Sequence, residues 1–540
     1  MKTSIPSLES KGIQNLSACV LIFLFFLLGV FSVREKSWTF DEPNHYQYGM
    51  NILNGDSDRF DDSKMPVSAW NALPARIASF LPEGTLKVHL QKPIVARLMT
   101  TLFSMLIACL VFHWSRWLYG VIPAFASLIL YILDPNIIAH SQLVTTDVYI
   151  MGMMLFSCYW LWKFANSRKW SDFWVFAFML ALAQLTKYTA ASMYPLLLGA
   201  LFLHDLPQWR KAVHDGNGRQ VLKEAKTYPL YIAVVAVVSI LVINAGFLFN
   251  RSFTPFNDYA FRSELFQSIK LNLRVPTPYP FLEGFDWILY RERTGAGYGR
   301  IYMLGESRAG GFAGYYFVAT LLKMPIATQL VLLASFAVYF WKGQYQRTLW
   351  RDEIFLLLPV LFYTIYFNFF YNAQIGIRYY IIVFPLLYVF AGSLFAKWRE
   401  FSFGRKAAAY ALGLYLLVSV LSHYPNYLGY FNEIVWRRMD AYKYLADSNL
   451  DWGQDQYALK EYQAAHPGVK KAPEHPGPIP ATRIYFVPVN QLVGVMRDPE
   501  AYEWLRKNFE PFDRIGTSYL LYRITPQEMN RLCGSTPYCQ

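Results

Sequence analysis

The sequence predicts a mostly α-helical protein that crosses a membrane about eleven times and closes with a small α/β domain. Two observations carry this prediction. Of 540 residues, 54% are hydrophobic and only 16% charged, with a mean hydropathy of +0.20, less charge than a soluble chain of this length carries. The apolar residues also arrive in blocks of roughly 15–20, the length that crosses a hydrocarbon core of about 30 Å.

The first block, 16–33, follows a head holding Lys2 and Lys11. It reads as a retained helix, because no small-residue cleavage site follows it. Further blocks start near Val95, Val121, Thr146, Phe173, Ala190, Tyr231, Ile326, Ile354, Tyr379 and Ala407. Alternate connections are basic: Arg116; Lys163, Arg168 and Lys169; Arg210, Lys211, Arg219, Lys223 and Lys226. Lys342, Arg347 and Arg351, and then Lys397, Arg399, Arg405 and Lys406, continue the series. All fall on the side of the N-terminal lysines, which the positive-inside rule makes cytoplasmic; an odd count then sends the C-terminus outside. The expectation is an integral plasma (inner) membrane protein. Much of the excess Lys and Arg behind the formal net charge of +13 sits in these short loops, and no basic run in a compact soluble fold points to nucleic acid.

This organisation divides the chain into a transmembrane unit, 1–425, with outward loops 34–94 and 250–314, and an extracytoplasmic unit, 426–540. In the latter, 441–462 and 499–507 read as helical, 482–489 and 518–524 as strands, and the Pro- and Gly-containing stretch 466–480 as a flexible connection. Cys19, Cys109 and Cys158 lie in apolar blocks and read as packing residues. Cys533 and Cys539 lie outside any block and suit a small terminal disulfide if that end meets an oxidising compartment. Two corners are unusual. Asp134-Pro135-Asn136 interrupts the block from Val121, and Lys187-Tyr188-Thr189 separates two short blocks; interrupted spans often line cavities.

The polar residues with chemical potential sit at the outward ends of the blocks. Asp41 and Glu42 follow the first helix in the string Trp38-Thr39-Phe40-Asp41-Glu42-Pro43-Asn44-His45-Tyr46. The plain structural reading makes Asp41 the cap of an interfacial helix, with Pro43 in its first turn; a capping carboxylate is also able to take a proton. The second outward connection holds His140 and then Asp147, which heads the next helix and invites the same capping reading. Acidic groups at that depth are costly unless they face water or a cation. Lys187 reads equally as a lysine snorkelling to the interface. Arg378 lies at the start of a helix, where the dipole disfavours a cation, and a bound anion would remove the conflict.

The DEPNH string starting at Asp41 resembles the Asp-Glu motif in the first outer loop of the GT-C membrane glycosyltransferases, most nearly the protein O-mannosyltransferase and lipid A aminoarabinose transferase branch. DPNIIAHSQLVTTD ending at Asp147, LTKYTA around Lys187, YMLGESRAGGFAGYYFVATLLKMP from Tyr302, IGIRYYIIVFPLL around Arg378 and YLADSNLDWGQD from Tyr444 fit the same branch in order. One departure stands out: the branch often has His-Pro-Pro late in the first loop, where this chain has Lys64-Met65-Pro66.

The resemblance implies inverting transfer of a sugar from a polyprenyl-phosphate carrier to an acceptor hydroxyl on a protein, glycolipid or glycan at the outer membrane face. It implies Asp41 as general base, Glu42 orienting it or the acceptor, and Asp147 facing it across a cavity. Lys187 and Arg378, with Arg308 and Lys323 behind them, become candidates for the donor phosphate. His45, His140, Tyr188, Glu306, Asp447, Asn449, Asp451 and Trp452 become candidates for sugar or acceptor. Asp41, Glu42, Asp147 and His140 are all ligand types for a divalent metal, but no spacing requires one. Two other classes compete: a transporter or flippase of lipid-linked sugars, and a non-catalytic partner in cell-envelope assembly. Transport sites usually lie near the bilayer midplane, whereas these acids lie at the helix ends.

Overall fold

The computed structural model describes residues 10–56, 64–341, 349–496, 498–535 and 539; Lys2, Lys342 and Arg347 of the topology argument lie outside them. Among the described residues seven helices are long and apolar enough to cross a membrane: Lys11–Val33, Pro93–Tyr119, Asp147–Ser167, Gly218–Gly246, Leu349–Phe369, Ile377–Phe395 and Phe403–Leu421. A bent pair, Tyr315–Lys323 and Ile326–Phe340, makes an eighth if it counts as one span. Each of the eleven apolar blocks is helical, but Val121–Ile132 and Trp170–Ala183 are shorter apolar helices. The protein is an integral membrane protein, and one continuous core cluster runs through its spans into the C-terminal region.

Local chemistry explains the breaks. The helix Val121–Ile132 stops before Asp134, whose carboxylate instead caps the short helix Pro135–His140, accepting from the Asn136 and Ile137 amides at 2.7 and 3.0 Å. Proline in the first turn suits that start. Met324 is extended ahead of Pro325, as a residue before proline tends to be, and the pair around it bends by 117°. Between Trp170–Ala183 and Met193–His214, Lys187 is extended, with φ −162° and ψ 143°. Gln184 Nε2 donates to the Ala190 carbonyl at 3.0 Å there, answering backbone polarity that a membrane would otherwise leave bare.

The C-terminal region forms a four-stranded mixed sheet. In chain order its strands are β3 (Lys470–Lys471), β4 (Arg483–Pro488), β5 (Asp513–Ile515) and β6 (Tyr519–Ile524), after a two-stranded hairpin of β1 (Ile301–Met303) and β2 (Glu306–Arg308) in the loop before the bent pair. The spatial order is β3-β4-β6-β5, with β3 parallel to β4 and the other pairings antiparallel. The two strongest runs read from sequence are β4 and β6. β3 falls inside the stretch expected to be a flexible connection, and β5 was not foreseen; both are too short to show a period. The expected helix over 441–462 is instead two short 3₁₀ turns, Arg438–Lys443 and Asp447–Asn449, followed by the helix Gln456–Ala465. Cys533 and Cys539 form a disulfide.

A turn at 451–456 fastens this region to the first loop. The Phe40 amide donates to the Trp452 carbonyl at 2.9 Å and the Ser37 amide to the Gln454 carbonyl at 3.1 Å. Asp455 is buried and meets Lys36 Nζ at 2.6 Å, while accepting from the Thr517 amide at 2.7 Å and the Ser518 hydroxyl at 3.0 Å. Removing one side of a buried, hydrogen-bonded ion pair typically costs about 3–5 kcal/mol. Lys36→Met is therefore expected to lower unfolding stability by about 3 kcal/mol in detergent micelles, and Asp455→Ala to lower it at least as much. Non-additivity in the double variant checks that the two groups act as a pair.

Candidate active site at the membrane boundary

Six segments converge on one cavity of about 940 Å³. The first loop supplies Asp41, His45, Lys64 and Met65; the two interrupted corners supply Asp147 and Lys187 with Tyr188. The first turn of the span Ile377–Phe395 supplies Arg378 and Tyr379, and the C-terminal region adds Asp447, Asp451, Trp452 and Asn490. The loop 250–314 closes a side with Arg291, Tyr298 and Arg300.

At the centre is a compact charge cluster. Arg378 Nη1 lies 3.1 Å from Asp41 Oδ2 and 3.8 Å from Asp147 Oδ2. Lys187 Nζ donates to Asp147 Oδ1 at 2.7 Å and sits 3.7 Å from the centre of the Tyr379 ring. The Arg378 guanidinium also lies 4.0 Å from the centre of the Trp452 ring, a cation–π arrangement. Lys187 and Arg378 thus hold opposite oxygens of one carboxylate, the spacing that a phosphate's oxygens would meet. Burial pushes the Asp41 carboxyl up, but Arg378, Lys64 and His45 outweigh it and hold it below the ordinary carboxylate range. Burial, reinforced by Lys64, holds His45 at about 3, so the imidazole is neutral at pH 7; its Nδ1 lies 3.2 Å from the Ser68 hydroxyl.

The capping readings of the two aspartates do not hold. Asp41 stands at the N-cap of Glu42–Leu53 and Asp147 begins Asp147–Ser167, yet neither helix receives a side-chain cap hydrogen bond. Both carboxylates turn instead to cations. The conflict at the start of the Arg378 helix is likewise met by Asp41 and Asp147.

Several candidates lie elsewhere. Glu42 turns away from the cavity: it is fully buried and takes Arg97 Nε and Nη2 at 2.8 and 2.6 Å, with the Thr39 and Val144 amides at 2.7 and 2.9 Å. Every lone pair facing a donor is engaged, so it braces the loop and is not placed to orient Asp41 by contact. Lys323 is buried and donates to the Leu428 and Asn449 carbonyls at 2.9 and 2.6 Å, away from the cavity wall. Arg308 and Glu306 are exposed on β2, and Arg308 folds over Phe312 and donates to the Gly311 carbonyl. His140 sits behind Trp452, with ring centres 6.1 Å apart. With Arg378 over its ring, Trp452 is a platform for the guanidinium more than a surface for a sugar. Asn449 is buried behind the wall; its Oδ1 accepts from the Ile377 amide at 3.1 Å, which sets the residue before Arg378. Next to it Gly376 has φ +121°, and a Cβ there would run into the Ser448 hydroxyl, so glycine is required by both conformation and space.

Sequence reasoning passed over Tyr298 and Arg300, in a loop without periodicity or motif, Arg291, in the helix Tyr279–Thr294, and Asn490, in the short helix Val489–Leu492. It noticed Lys64 only as a departure from a familiar string. The proposed metal donors do not gather: Glu42 is taken by Arg97, His140 is off the wall, and both aspartates hold cations. Among the described residues no three His, Cys, Asp or Glu side chains are grouped to hold a metal.

Asp447 and Asp451 face the cavity without a salt-bridge partner among the described residues. Burial raises both carboxyls to about 6. Because the folded-state value exceeds the unfolded one, stability is full below the ordinary carboxylate pKa near 4 and is lost as pH rises toward 6. The Asp447→Asn/Asp451→Asn double variant is expected to melt above the parent at pH 7.5, with the gap closing toward pH 4. Thermal unfolding in detergent across that range checks it.

Comparison with known proteins bears on this arrangement. Residues 77–243, which include Asp147 and Lys187, match the family model described as dolichyl-phosphate-mannose-protein mannosyltransferase. Among solved structures the chain is similar to ArnT from Cupriavidus metallidurans bound to undecaprenyl phosphate, with 10% identity over 94% of this chain and 97% of that one, TM-score 0.49. It is also similar to the Archaeoglobus fulgidus oligosaccharyltransferase in the apo form, at 12% identity over 80% of this chain and 56% of that one, TM-score 0.46. The same archaeal enzyme, AglB, in complex with an inhibitory peptide and a dolichol-phosphate gives 14% identity, the same coverage and TM-score 0.46. No curated protein matches the chain. The segment 77–243, out of 540 residues, is thus similar to that mannosyltransferase family.

Proposed function

We propose that the protein transfers a sugar from a polyprenyl-phosphate donor to an acceptor hydroxyl with inversion, in the cavity where Asp41, Asp147, Lys187 and Arg378 converge. That convergence, from four separate segments, is the observation that carries the reading. The acceptor oxygen attacks the anomeric carbon while Asp41 takes its proton. The bond from that carbon to the phosphate oxygen breaks, and its electrons stay on the phosphate. Lys187 and Arg378 stabilise the charge that develops there. Asp147 holds the two cations in register before the donor arrives.

The same geometry couples donor binding to base strength. Arg378 is the main group that holds the Asp41 carboxyl low against burial. A donor phosphate that draws the guanidinium toward itself leaves Asp41 buried with less compensation, and its affinity for a proton rises. A carboxylate that is too weak a base in the empty site becomes a better one when the donor is in place. The cavity is large enough for a sugar and part of an acceptor together.

Purified protein with a polyprenyl-phosphate sugar and an acceptor tests the reading. Asp41→Asn is expected to lower kcat by about 10²–10⁴-fold in protein that still folds; full activity in that variant would remove Asp41 as the base. Lys187→Gln and Arg378→Gln are expected to raise the donor KM. In the parent the acid limb of kcat/KM should fall below the ordinary carboxylate range, because the base must be ionised and its pKa is lowered. Arg378→Gln should move that limb to higher pH.

A further inference from the structure

We propose that the segment 248–275 is a folded tongue that docks into the headgroup boundary of the bilayer on the same side as the cavity. It leaves the membrane directly, since the helix Tyr228–Gly246 ends two residues before it. Its base is closed by backbone pairing: the Phe253 amide donates to the Val275 carbonyl at 2.9 Å, and the Phe256 amide to the Leu273 carbonyl at 2.9 Å. Inside, Tyr259 stacks on Phe261 and on Tyr279, with ring centres 5.1 and 4.5 Å apart. Buried Asp286 pins the far end, accepting from the Arg262 and Ser263 amides at 2.7 and 3.0 Å. The tongue therefore has its own small core and a defined outside.

That outside is apolar where water would be expected. Phe249, Phe253, Leu265 and Leu273 are 57–62% exposed, far more than a satisfied loop core explains. Leu248, Phe249, Arg251 and Phe253 all have left-handed φ, between +50° and +63°. Bulky residues rarely adopt that conformation, and strain of this kind persists where the surroundings enforce it. Here it turns two phenylalanines outward. Basic residues are interleaved: Arg251 lies over the Tyr279 ring and Arg262 over the Trp287 ring, at 3.8 and 4.3 Å, with Lys270 and Arg274 exposed beside them. Of the acids on the tongue, Glu264 is paired with Arg293. Large apolar tips among cationic heads, continuous with a spanning helix, match a lipid interface: the tips enter the acyl boundary and the cations meet phosphates.

The test uses the full-length protein, with exposed Cys19 and Cys109 changed to Ser, in nanodiscs of phosphatidylcholine and phosphatidylglycerol holding one copy each. Nitroxide labels go on Phe253→Cys, Leu265→Cys and Leu273→Cys, and in parallel on Leu241→Cys of the spanning helix and on Tyr457→Cys of the helix Gln456–Ala465. Collision with dissolved oxygen, relative to a water-soluble nickel chelate, should be several-fold higher at the three tongue sites than at Tyr457→Cys, approaching Leu241→Cys. Ratios equal to that at Tyr457→Cys would overturn the proposal. So would shielding that appears only in discs holding two copies, which would assign the surface to self-association. Three independent positions keep the test decisive if one variant fails to fold.

Discussion

One guanidinium, that of Arg378, makes the rest of the arrangement necessary. It lies within reach of Asp41 and Asp147, carboxylates that arrive from different parts of the chain, and it rests on Trp452 from a third. A buried cation needs such company, since removing it from water without partners would cost several kcal/mol. The requirement runs the other way as well. Asp147, nearly buried, is tolerable at a helix start only because Lys187 and Arg378 face it. The helix breaks at Asp134-Pro135 and at Lys187 are what bring those groups to a single depth.

Around this cluster stands a second, stiffer layer that never meets the cavity. Glu42 and Arg97 lock the first loop, Lys36 and Asp455 fasten it to the C-terminal region, and Lys323 and Asn449 hold the strap ahead of Arg378. Apart from Lys36, which bonds the Asn426 and Asp455 side chains, each also bonds backbone amides or carbonyls. That division separates groups with capacity to spare, at the centre, from groups already satisfied. It also explains why adjacent acids, Asp41 and Glu42, do different work: the turn into the helix sends one side chain toward the cavity and the other into the protein.

Much of this was legible in the sequence, because apolar block length, interrupted spans and isolated charges at helix ends are strong local signals. Asp41, Asp147, Lys187 and Arg378 were visible as polar residues in places that apolar surroundings make costly. What local pattern cannot supply is direction. Glu42, Lys323 and Arg308 have the right chemistry and the right neighbourhood in sequence, yet long-range partners draw them elsewhere. The loop carrying Tyr298 and Arg300 has no period to read, Asn490 lies in a single helical turn too short to show one, and the capping readings failed because tertiary ion pairs outcompeted the helix ends. Span counting has a similar limit: a helix of 12 residues, Val121–Ile132, is apolar enough for a membrane but too short to show by itself whether it crosses.

The pairing of Lys36 with Asp455 joins residues 419 positions apart, and that of Asp41 with Arg378 joins residues 337 apart. No contiguous fragment short of most of the chain contains a whole pocket. During synthesis the charge cluster is complete once Arg378 has been made, but the emerging polypeptide lacks the wall at Asp447, Asp451 and Trp452 and the fastening of its first loop until the last quarter is made and folds back. The enclosed cavity therefore appears late, and a chain truncated before Asp447 has the charges of the pocket without its outer wall.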